Sequence, residues 1–282
     1  MPVDLFRHIV KKESSSYFQT FTPSSDLTSV IEYFFLYTIT SSRKEELAFA
    51  DGIPILVFLL EKSSAIQFYT TTDTQATTTE GYLSGLFLEK TYIESLYPGQ
   101  QMLGVRFTAT GLYNLLQRPL STLADHIFHD VDTLFGENRP MLYESFTITE
   151  KINTIEKWIR EQLKGHIVST SLFEEIIYYI CTHQSEINLR ELAVRFQVNY
   201  KWLERKFLIY TGLTPKEFIR LQRFLPCIFE LQETNGNDLM GLAINHGFYD
   251  QNHFIKEFKQ FTQKTPLQFL KHSLQPLYKL PD

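Results

Sequence analysis

Cysteine is scarce: Cys181 and Cys227 are the only two in 282 residues, too few for a disulfide framework. Both sit among apolar residues on expected helices, so the expectation is two buried free thiols in a reducing compartment. Long hydrophobic runs are missing as well. No stretch reaches the ~18 apolar residues of a membrane span. Asp4, Arg7, Lys11, Lys12 and Glu13 interrupt the opening residues, where a secretion signal would need a continuous apolar run. A cytoplasmic chain with no membrane partner is expected. Positive charge is also short. With 27 Lys and Arg against 32 Asp and Glu, the formal charge is −5, which excludes a uniformly basic coat for nucleic acid. Phosphate loops, nucleophile elbows and zinc-protease patterns do not occur, so neither catalytic residues nor a cofactor are expected.

What is present is ample core material. Hydrophobic residues make up 43% of the chain, with 24 Phe and 15 Tyr, and the length has room for two domains. Residues 30 to about 108 read as strands. Ile53 to Leu60 is a short apolar run opened by the turn signal Asp51-Gly52, as expected of a buried strand. Ala65 to Tyr69, Leu83 to Leu88 and Met102 to Phe107 are further strands, and the Thr-rich stretch Thr70 to Thr79 is a hairpin tip or loop. Short strands at this spacing suggest a sandwich or small barrel. Helical spacing takes over after Gly111 (Leu112, Leu115, Leu116) and again from His126 to Phe135. Helices follow from Thr149 to a stop at Gly165 and from Ser171 onward. These last two are read either as a linker or dimerisation surface, or as helices buried against their own domains.

The last hundred residues carry one pattern twice. Leu192-Ala193 recurs as Leu242-Ala243 and Gln197-Val198 as Gly247-Phe248. After one inserted residue, Asn199 matches Asp250, Leu203 matches Phe254, Arg205 matches Lys256 and Phe207 matches Phe258; Thr214-Pro215 then matches Thr265-Pro266, and Phe218 matches Phe269. Each copy reads as a short helix, a tight turn and a second helix opened by an Asn or Asp cap, which is a helix-turn-helix. Two such units could enter successive major-groove segments roughly 34 Å apart on one face of double-stranded DNA. The charge distribution agrees. Residues 184–275 hold 12 Lys and Arg against 9 Asp and Glu, so the acidity lies in the remainder. That excess is modest, and weak, strongly salt-dependent binding is expected unless the chain forms a homodimer.

In the first unit Trp202, Leu203 and Phe207 supply packing and leave Tyr200, Lys201, Glu204 and Arg205 nearer the outer face. In the second, Phe254 and Phe258 anchor the helix and leave Gln251, Asn252 and Lys256 facing a groove. Arg and Lys can pair with guanine edges, and Gln and Asn with adenine. Glu204 could accept from a cytosine amine, orient Arg205, or stand as an exposed carboxylate.

The stretch Gly247-Phe248-Tyr249-Asp250-Gln251-Asn252-His253-Phe254, continued by Lys256-Glu257-Phe258-Lys259 and Thr265-Pro266, resembles the signature of the AraC family of transcriptional regulators. Leu203 to Phe207 with Gly212 to Lys216 is a second match. The resemblance implies DNA contacts at Lys201, Glu204, Arg205, Gln251, Asn252 and Lys256 and a continuous helix over about 215–232 joining the units. Pro226 falls inside that helix and removes a backbone bond at about 3 kcal/mol, or kinks it.

Ala50-Asp51-Gly52 and Leu103 to Phe107 are similar to a divergent cupin-like domain found before some AraC-type domains. That implies a sensing or oligomerisation role and leaves open a small-molecule effector. Arg106 could meet an anionic ligand or form a buried ion pair. Residues 47–108 contain no His for a metal centre, and His126 with His129 supply too few ligands, so no metal is expected.

The expected architecture is α+β: an N-terminal β-rich, cupin-like barrel or sandwich over 1–143, a helical linker over 144–184 and an all-α domain with two helix-turn-helix motifs over 185–275. The expected function is a sequence-specific DNA-binding transcription regulator. Two other readings stay open: a cupin-type enzyme or small-molecule binder with a helical tail that does not bind DNA, and a protein-interaction module.

Overall fold

The computed structural model describes residues 17–39, 46–48, 51–61, 65–70, 75–84, 91–94, 97–123, 129–164, 172–183 and 187–272. Strands β1 (Phe18–Phe21), β2 (Ile31–Thr38), β4 (Ile55–Leu59), β7 (Gly81–Ser84), β9 (Gln101–Phe107) and β10 (His129–Asp130) form one sheet in the order β1-β2-β9-β4-β7-β10. Strands β3 (Glu46–Ala48), β8 (Thr91–Glu94), β5 (Ile66–Thr70) and β6 (Gln75–Thr78) form a second sheet, β3-β8-β5-β6. Pairing is antiparallel throughout. The β-rich expectation thus takes the form of two facing sheets.

Alternation along the strands explains why the larger sheet is buried on both faces. Phe35, Ile55, Val57 and Met102 turn toward Ile66 and Phe68 of the smaller sheet. Phe34, Leu36, Leu56, Phe58, Leu103 and Val105 turn the other way, toward helices. Gly104 has no side chain because Phe35 crosses it; a Cβ there would fall 1.9 Å from the ring.

Helices α1 (Gly111–Leu116), α2 (Val131–Phe135) and α3 (Ile148–Gln162) cover that outer face. The sequence spacing suggested a helix from His126, but His129-Asp130 instead pair with Leu83 and Tyr82 as a strand. Asp130 then caps α2 by accepting from Asp132 N, and His126 lies outside the described residues. A Thr147–Glu150 capping box opens α3, and the two hydrogen bonds from Thr147 hold the Glu150 carboxyl below its usual pKa. Ile152, Ile155, Trp158 and Ile159 join the sheet's outer core. Arg160 binds Asp26 through two hydrogen bonds of 2.7 and 3.0 Å, and that bonding lowers the Asp26 pKa.

Helix α4 (Leu172–Thr182) belongs to a different core. Phe173, Ile176, Ile177 and Ile180 pack with α5 (Leu189–Arg195), α6 (Tyr200–Tyr210), α7 (Pro215–Glu233), α8 (Leu239–Asn245), α9 (Gln251–Thr262) and α10 (Pro266–His272). Ile53 and Ala109 from the β-rich part enter the same core. Glu174 accepts from Ala109 N, Thr110 N and Thr110 Oγ1, the two residues that lead into α1. Gln222 Nε2 of α7 donates to the Asp51 carbonyl, and Phe218 packs on Gly52, where φ is +79° and a Cβ would lie 2.6 Å from the ring. Asp51 and Arg106 form a fully buried ion pair of 2.5 Å, with Glu32 at 3.3 Å. The buried-pair reading of Arg106 therefore holds.

Candidate nucleic-acid interface

The sequence duplication is a duplication of hydrogen-bond geometry. Helix α5 stops where Gln197 takes φ +53° and Val198 N donates to Ala193 O at 3.0 Å. Helix α8 stops where Gly247 takes φ +71° and Phe248 N donates to Ala243 O at 2.9 Å. Asn199 caps α6 by accepting from Trp202 N at 2.8 Å, and Asp250 caps α9 by accepting from His253 N at 2.7 Å. Thr211 and Thr262, 51 residues apart, each send a hydroxyl back to Phe207 O and Phe258 O. Thr214 and Thr265 cap α7 and α10, paired with Glu217 and Gln268 three residues on. The Thr211/Thr262 equivalence has the same displacement of 51 as the Asn199/Asp250 caps, which is the signal in the sequence that marks it.

Anchors and outer faces separate as the periodicity requires. Leu203, Phe207, Phe254 and Phe258 are fully buried. Lys201, Arg205, Asn252 and Lys256 are exposed, whereas Glu204 and Gln251 are half-buried. Lys201, Arg205 and Lys256 have no ion-pair partner among the described residues. An unpaired cation on an exposed helix face keeps its charge and donors available. The first outer face therefore offers two cations, Lys201 and Arg205, beside the Glu204 carboxylate, and the second offers Lys256 beside the amides of Gln251 and Asn252.

The joining helix α7 runs unbroken from Pro215 to Glu233 with Pro226 inside it. Cys227 sits on its buried side, and burial pushes its thiol up, so it remains a protonated core group. Cys181 is only half-buried and donates to Gln222 Oε1. Between α7 and α9 lies a polar cluster that the sequence did not disclose. Buried Glu257 accepts from Arg223 Nη2 at 3.0 Å through both oxygens and lies 3.4 Å from Arg220 Nε and from His253 Nε2. Arg223 also lies 4.5 Å from the Phe248 ring centre, and Arg220 donates to Gln260 at 2.5 Å. Two arginines at i, i+3 on α7 and one acid inside α9 were the only traces of it in the sequence.

Comparison with known proteins agrees with this geometry. Residues 192–272 match the model of a helix-turn-helix domain, and residues 19–129 match a domain of unknown function. An uncharacterised HTH-type transcriptional regulator, YidL of Escherichia coli (strain K12), is 34% identical over 90 residues, 32% of this chain and 30% of that protein. The HTH-type transcriptional activator RhaS of Pectobacterium carotovorum subsp. carotovorum (strain PC1) is 30% identical over 84 residues, 30% of each chain. The chain thus spans about 30% of the length of these curated relatives. Among solved structures, ToxT of Vibrio cholerae is similar with a TM-score of 0.46 and 13% identity, covering 91% of this chain and 98% of that one. With the paired turns, caps and anchors in place, residues 192–272 of this chain are an AraC-type helix-turn-helix domain.

Proposed function

We propose that the chain is a sequence-specific, double-stranded-DNA-binding transcription regulator whose N-terminal β-rich part receives a small-molecule or other signal. Lys201, Glu204 and Arg205 read one major-groove segment, and Gln251, Asn252 and Lys256 read the next. The observation that carries this reading is the repeated frame: two helices with matched caps and buried anchors, each leaving its cations unpaired on the outer face. On this reading the protein works on DNA in the cytoplasm and is not an enzyme; separately, no described helix is long and apolar enough to cross a membrane.

The division between the two functional parts falls between α3, whose apolar side joins the sheet core, and α4, whose apolar side joins the helical core. The signal acts across that boundary. The first unit is held to the β-rich part through Ile53, Gly52, Glu174 and Gln222, so a shift in strand packing changes how α6 and α7 are presented. A ligand works in this way only by favouring one of two arrangements.

The test uses duplexes recovered by selection from random DNA with the purified chain. Arg205→Ala and Lys256→Ala should each weaken specific binding by about 1–3 kcal/mol, roughly 5- to 150-fold, and relax preference at different positions of the site. Unchanged affinity in both variants would overturn the assignment of these residues.

A further inference from the structure

We infer that the cleft between the two helix-turn-helix units is a seat for the sugar-phosphate strand that crosses from one major-groove segment to the next. This rests on the DNA-binding reading above and adds a contact that neither recognition helix makes with bases. The cleft has a volume of about 670 Å³. One wall is the start of α5 and the first two turns of α7, with Lys216 and Arg220; the other is α9, with His253, Lys256 and Gln260. Arg223 and Glu257 also line it.

Three observations point to an anionic strand. First, the cleft gathers Lys216, Arg220, Arg223 and Lys256 around a single carboxylate, Glu257. Second, that carboxylate is already committed to Arg220, Arg223 and His253. It therefore orients two guanidinium groups and neutralises neither lysine. Lys216 and Lys256 stand on opposite walls, exposed, with no partner among the described residues. Third, Lys256 belongs both to the cleft and to the outer face of α9, so the cleft opens on the side that would meet DNA. On a duplex, two successive major-groove segments on one face are separated by the minor groove and the strands that border it. A protein reaching both segments must pass over those phosphates, and Lys or Arg there fixes register without reading sequence.

In this arrangement Lys216 is a phosphate ligand, Arg220 supports it one helical turn away, and Glu257 is a positioning residue that keeps the arginines aimed. Each phosphate neutralised contributes about 0.9 to the slope of log affinity against log salt.

Binding is measured on a mixed-sequence duplex of about three helical turns between about 50 and 200 mM salt. The full chain is compared with Lys216→Gln and with Lys157→Gln, which removes an exposed charge from α3. Lys216→Gln should lower the slope by about 0.9, so that its affinity loss across this range is about 3.5-fold smaller than that of the unsubstituted chain; Lys157→Gln should not. On a duplex of about one turn, which can engage only one unit, Lys216→Gln should leave the slope unchanged. An unaltered slope on the long duplex, with folding intact by circular dichroism, overturns the seat. So does an equal change from Lys157→Gln, or a change that persists on the short duplex. Stabilisation by inorganic phosphate that depends on Lys216, with no slope change, would assign the cleft to a free anion and likewise overturn it. If the unsubstituted chain binds no duplex at all, the DNA reading itself fails, a result distinct from these.

Discussion

Arg106→Met is expected to lower the unfolding free energy by about 3–5 kcal/mol, read as a fall in the urea midpoint at unchanged slope. The guanidinium is wholly buried and bonds both oxygens of Asp51, at 3.2 and 2.5 Å, while its Nε lies 3.3 Å from Glu32. Methionine fills much of the space and removes every one of these bonds. Asp51, also fully buried, would then hold its charge without the guanidinium, while still accepting from the Ile53 N–H at 2.9 Å. Adding Asp51→Asn should recover much of the loss, because a neutral amide can still accept from Ile53 and no longer carries an isolated charge. The damage would reach the helices, since the same Asp51 accepts from Gln222 through its carbonyl. A single substitution costing under about 1 kcal/mol would mean that the pair contributes little beyond an apolar replacement, as some buried pairs do.

Phe258→Ala should cost about 3–5 kcal/mol as well, with a different spatial signature. The Phe258 ring is fully buried and meets Phe224, Phe254 and Phe269 at centroid distances of 5.3, 5.6 and 5.5 Å. All four belong to α7 and the second unit. Its counterpart Phe207 meets Phe173 and Phe218, and Phe218 in turn packs on Gly52 of the β-rich part. Amide exchange should therefore open α8 to α10 in the Phe258 variant and leave the strands protected. Equal loss of protection in β4 and β9 would show that the second unit is not separately held.

Much of the helical half was legible in the sequence because its determinants are local. Asn199 and Asp250 announce caps, Thr214-Pro215 and Thr265-Pro266 announce helix starts, and the spacing of Leu203, Phe207, Phe254 and Phe258 gives the buried side. Gly247 signalled its turn directly. Gln197 performs the same left-handed turn and gave no local sign of it; only the register of the repeat placed it. The β-rich half was legible as strands but not as a pairing order, because β9 lies between β2 and β4, its neighbours from far along the chain. Arg106 could be seen to need a partner, yet its partner lies 55 residues away on a turn. The polar cluster about Glu257 draws on two helices and depends on their crossing, which no window of sequence encodes.

The helix preceding the tandem units has a bearing on any attempt to work with fragments. Phe173 of α4 sits 5.0 Å from Phe207 and 4.8 Å from Tyr210, and Ile176, Ile177 and Ile180 complete that wall. A piece trimmed to the repeat alone would bare this greasy slot to water and invite clumping. A portion meant to stand alone should therefore keep α4 from Leu172, and even there the places vacated by Ile53 and Ala109 would want polar replacements on the residues they covered.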